Sequence, residues 1–161
     1  MSDRLNFTSV DVNTLKPSGT YYTNGWSDKI SLIARGSNGL LGCHYISDSL
    51  GLPLSRWPTS PPYRPTTLQH FKIDTCHSLS YSSKSNMYYL LASANGAHVL
   101  VTLFLEANVN PIDLINILNL GVSQNDTLPI GLGLNPNQDT AFVLFRKLRD
   151  DGAPSLVYQV L

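Results

Sequence analysis

Short runs of apolar and β-branched residues, each closed by glycine, proline or asparagine, recur along the whole chain. Leu5, Phe7, Val10 and Val12 mark an alternating start, and residues 20–23 read as a strand ended by Asn24-Gly25. A strand over 30–35 breaks at Gly36-Ser37-Asn38-Gly39 and returns over 40–46. Further strands are predicted over 68–73, 79–82, 87–92, 99–106, 141–148 and 155–161. Lys16-Pro17-Ser18-Gly19, Asn95-Gly96 and Asp150-Asp151-Gly152 are turn signals. Proline presets the first corner of a turn, and glycine or asparagine accepts the positive φ that follows. Short strands at this spacing predict an all-β fold, an antiparallel β-sandwich of jelly-roll or fibre-head-like type.

Two stretches do not fit the strand pattern. Residues 47–65 hold five of the ten prolines, Pro53, Pro58, Pro61, Pro62 and Pro65, and show no periodicity. Proline removes a backbone donor and is excluded from central strands, so this stretch is predicted to be a stiffened loop. Residues 111–120 open on Pro111 and end before Gly121, with apolar residues at helical offsets that also alternate as a strand would. Periodicity leaves one short helix or a strand open there.

Length favours a single domain over 1–161, with a knob-like N-terminal part (1–46) and a main sandwich part (66–161). Charged residues make up 14% of the chain, against roughly a quarter in an average soluble domain, and eleven basic and eleven acidic residues cancel. That balance excludes phosphate-tracking contact with nucleic acid and polybasic attachment to a membrane. No apolar run reaches the ~18 residues of a membrane-spanning helix, and Met1 to Asn6 contain no secretory signal core. Neutral polar residues instead furnish the surface, which suits sugar recognition or exposure on a virion.

Candidate chemistry is thin. Cys43-His44 and Cys76-His77 repeat a dipeptide, but neighbours on a strand point to opposite faces and cannot easily share one metal ion. Neither a metal site nor a cofactor is therefore expected, and the two cysteines are read as free, buried thiols. No nucleophile motif surrounds either cysteine, and the lone Gly131-Leu132-Gly133 lacks the third glycine of a phosphate loop. No catalytic residue is nominated. Aromatics offer more. Trp57 with Arg56, Tyr63 and Arg64 sits on the proline-stiffened stretch, and Trp26 follows a turn. Aromatic faces stack on sugars or anchor protein contacts, and a stiff loop loses little entropy on binding. These five residues are the candidate ligand-binding set.

The segment from Asn95-Gly96 to Leu103, then Leu128-Pro129-Ile130-Gly131 with Pro136, then Phe142 to Phe145, resembles the head or tip domains of bacteriophage tail fibres and receptor-binding proteins. Pro61-Pro62-Tyr63-Arg64-Pro65 echoes the same motif, and Val12 to Tyr22 is similar to a segment of tail-fibre knobs. Adenovirus-like fibre heads share the strand order. The resemblance implies a homotrimer at a tail-fibre tip or on an extracellular fibre. It also implies non-enzymatic adhesion to a host or prey cell-surface glycan or protein. The alternatives are a small hydrolase acting on a surface polysaccharide and a structural virion protein without its own ligand.

Overall fold

The computed structural model describes residues 4–11, 13–24, 30–44, 54–58, 66–68, 72–104, 114–135, 137, 140–148 and 154–160. They form thirteen strands and, among the described residues, no helix. These are β1 (Arg4–Val10), β2 (Pro17–Asn24), β3 (Ile30–Gly36), β4 (Gly39–His44), β5 (Leu54–Trp57), β6 (Thr66–Thr67), β7 (Thr75–Ser82), β8 (Met87–Ala94), β9 (Ala97–Phe104), β10 (Leu114–Ser123), β11 (Thr127–Asn135), β12 (Thr140–Leu148) and β13 (Pro154–Val160). All pairings are antiparallel. The strands make a β1-β2 ribbon and three sheets, ordered β3-β4-β5-β6, β10-β9-β8-β7 and β11-β12-β13. The fold is all-β, as expected.

The β7–β10 sheet is covered on both faces. Tyr88, Leu90 and Ala92 of β8 and Val99, Val101 and Leu103 of β9 pack with Leu41, Cys43 and Leu54 of the β3–β6 sheet. From the opposite face, Leu91 and Leu100 meet Ala141, Val143 and Phe145 of β12. A strand buried on both sides has no solvent face to make polar, which explains the nearly continuous apolar runs of β8 and β9. β12 is covered on one face and alternates accordingly: Ala141, Val143 and Phe145 are buried, while Phe142 and Arg146 are exposed.

Turn chemistry fixes the registers. Asn95 and Gly96 have φ of 51° and 80°, so the β8–β9 connection is a two-residue turn with both positions left-handed. Gly36 pairs with Gly39 across Ser37-Asn38. A Cβ on Gly36 would collide with the Tyr88 hydroxyl and the Tyr81 ring. One on Gly39, at φ +147°, would lie 2.5 Å from the Trp57 carbonyl oxygen.

Several expectations are corrected. The loop expected over 47–65 contains strand β5, which pairs with β4. Pro53 and Pro58 flank this strand without interrupting it. The helix left open at 111–120 gives way to β10, whose 114–119 pair with β9. The turn expected at Lys16 to Gly19 lies earlier. The Asp11 carboxylate accepts the backbone N–H groups of Asn13 and Thr14, and Pro17 already starts β2. Cys43 and Cys76 are not free thiols. They form a disulfide joining β4 to β7, with Cα atoms 6.7 Å apart.

Candidate functional site

Of the five residues nominated for ligand binding, Tyr63, Arg64 and Trp26 lie outside the described residues. Arg56 and Trp57 are neighbours on β5. Trp57 has no exposed surface, so it is a core residue of this chain and not the exposed loop aromatic that was expected. Its register puts Trp57 on the face of β5 opposite the one on which Leu54 joins Leu41 and Cys43, so its burial belongs to the other side of that sheet. Arg56 is half-buried and donates from Nη2 to the Asn38 carbonyl at 2.8 Å, bracing the β3–β4 turn.

That turn is held by a hydroxyl cluster. The Ser37 and Tyr81 hydroxyls both donate to Asn86 Oδ1, at 2.5 and 2.7 Å. Tyr88 donates to the Gly39 carbonyl at 2.7 Å. Burial pushes the Tyr88 phenol up to about 12, so it stays a neutral donor under ordinary conditions.

A second cluster lies on the other face of the central sheet. His77 Nε2 is 2.6 Å from Ser93 Oγ, and Ser93 Oγ is 2.9 Å from His98 Nδ1. His98 Nε2 is 3.2 Å from the Thr127 carbonyl oxygen. Ser93 and His98 are 3% and 2% exposed, whereas His77 is half-buried. The Asn95-Gly96 turn makes Ser93 and His98 direct cross-strand partners. His77 arrives by a β-bulge. Cys76 pairs with Ala92 and Ser78 with Leu91, leaving His77 as the extra residue. As strand neighbours, Cys76 faces the disulfide and His77 the opposite face.

The proton positions follow from the acceptors. Thr127 O can only accept, so in the neutral state His98 carries its proton on Nε2 and accepts at Nδ1. Ser93 must then donate to Nδ1, and His77 must donate from Nε2 to Ser93. Burial, reinforced by His98, holds His77 down to about 4. Ser93 Oγ and both ring nitrogens of His98 are paired, and Ser93 is closed off from bulk solvent. The arrangement orders protons and offers no open nucleophile.

The third feature is exposed. Leu128, Ile130 and Phe142 present 57%, 50% and 39% of their surface on the β11–β12 side turned away from the core. Gly133 pairs with Phe142 and Gly131 with Leu144, and a Cβ at either glycine would meet nothing within 4 Å. The chain's own packing therefore does not require glycine at either position. Strand glycines of this kind mark places where a ligand or another backbone comes close. Beside this face, Asn125, Asp126, Thr127, Leu128 and Arg146 line a depression of about 370 Å³.

The Ser93–His98 pair was derivable from the Asn95-Gly96 turn. The bulge that adds His77 left no sequence signal, and neither did the covering of both central-sheet faces. Comparison with known protein families, with curated proteins and with solved structures finds no match.

Proposed function

We propose that this chain is a non-enzymatic attachment module that works as a homotrimer and recognises a cell-surface glycan or protein, as the resemblance to tail-fibre heads implies. The observation that carries the proposal is the outer β11–β12 face. There Leu128, Ile130 and Phe142 are exposed beside two glycines with open space above them. Large exposed apolar residues clustered on one face mark contact surfaces. A strip in which Phe142 stands opposite Gly133 and Leu128 opposite the exposed Arg146 suits a second backbone or the apolar face of a sugar. The closed hydrogen bonding of Ser93, at 3% exposure, supports a binding role over hydrolysis.

The test combines solution mass with binding to whole bacterial cells, for the wild type and for Phe142→Asp. The wild type is expected as a trimer that binds cells. Phe142→Asp should dissociate to folded monomers and lose most of its cell binding. A wild type that is monomeric and binds no surface would overturn the proposal.

A further inference from the structure

We propose that His77, Ser93 and His98 form an acid-sensitive latch, which fastens the β11–β13 sheet to the central sheet at neutral pH and loosens it on acidification. The latch is independent of any attachment role.

His98 Nε2 gives the central sheet a direct hydrogen bond to the first residue of β11, at the Thr127 carbonyl. The His98 ring also lies 5.4 Å from the ring of Phe145 on β12. The same side chain thus touches two strands of the neighbouring sheet, and its orientation depends on Ser93. Ser93 in turn is held by His77, the least buried of the three.

The chain accommodates one additional proton. A proton arriving at His77 Nδ1 keeps the hydrogen bonds but puts a charge in a half-buried site, which the opened state, with water at the ring, holds more readily. If the Nε2 proton then passes to Ser93 Oγ, and the Ser93 proton passes to His98 Nδ1, the charge moves inward and His77 is left neutral, protonated on Nδ1. Both bonds to Ser93 have then reversed direction. No bond between heavy atoms changes, and protons balance at each step. A second proton cannot be accommodated. Ser93 Oγ would face a donor on each side, and its own proton would lose its acceptor at a nearly fully buried position. The two cationic rings would also stand with centroids only 5.7 Å apart.

Among the described residues, the carboxylate beside this chain is Asp74, whose N–H donates to the Ser93 carbonyl at 2.8 Å and whose Oδ2 is taken up by the Asn95 N–H at 3.0 Å. From β12 the chain meets Phe145, from β11 the Thr127 carbonyl, and on β7 Cys76 is tied up in the disulfide. Asp126 and Arg146 line the outer depression with Thr127. What holds His77 down is burial first and the neighbouring His98 ring second.

The direction of the pH effect follows. His77 in the folded chain titrates near 4, below the ordinary histidine value of 6.5, so the unfolded or opened state binds the proton more readily. The contribution is complete above about pH 6.5 and is lost as pH falls toward about 4.

Amide protection factors on β11 and β8, measured at about pH 7.5 and about pH 5 on either side of the ordinary histidine range, test the latch. In the wild type, protection on β11 should fall on the order of tenfold more than on β8, allowing for partial solvent screening of His77. His77→Gln keeps an N–H for Ser93 and cannot titrate, so it should at least halve that difference. Ser93→Ala should loosen β11 at neutral pH already. Parallel loss on β11 and β8, or an unchanged difference in His77→Gln, would overturn the proposal. Should the variants not fold, NMR titration of the wild type decides: His77 protonating at its ordinary value refutes the latch.

Discussion

Trp57→Ala is expected to lower folding stability by about 3–5 kcal/mol, seen as an earlier denaturant midpoint. The indole has no exposed surface, and its backbone carbonyl sits against the β3–β4 turn. A surface anchor would instead lose binding and keep its stability. The sequence concealed this because Pro53 and Pro58 bracket a strand of only four residues, and proline density made the whole stretch read as loop. Ser93 and His98 were better placed for prediction, since a two-residue turn at Asn95-Gly96 sets them opposite each other. His77 was not, because a bulge depends on how two strands align and not on either strand alone.

At the level of elements, most strands were legible from turn residues and apolar runs, and their partners within hairpins followed. Contacts between sheets were not. Cys43 and Cys76 are separated by 33 positions and sit on strands of different sheets, so nothing local foretold their bond. Replacing both with serine is expected to destabilise the fold by about 3–4 kcal/mol on the loop-entropy estimate. Equilibrium unfolding of the double variant against the oxidised wild type measures this. β10 shows the same dependence on context. Its apolar spacing served helix and strand equally, and pairing with β9 decided the outcome. β11 includes Pro129 because its register shifts between Pro129 and Gly131, where a ladder donor is dispensable.

For the molecule as a whole, the layering sets where stability concentrates. Leu90, Leu91, Val101 and Leu103 are fully buried, contributed by two adjacent strands with cores on both sides. At neutral pH the amides of β8 and β9 should exchange with deuterium most slowly, well behind those of the β1–β2 ribbon. Equal rates in the ribbon and the central sheet would contradict this layering. The unbroken apolar runs at 90–92 and 99–101 hinted at double coverage, but their length fits a buried strand in any setting.

The Cys43–Cys76 bond also bears on how the polypeptide would respond to a protease. A single cleavage anywhere between those two positions cannot release either fragment while the sulfurs stay joined. Nicked material would migrate as one band on a non-reducing gel and separate into two once a thiol is added. A molecule built this way can be cut between its first and second sheets and still travel as one covalent particle.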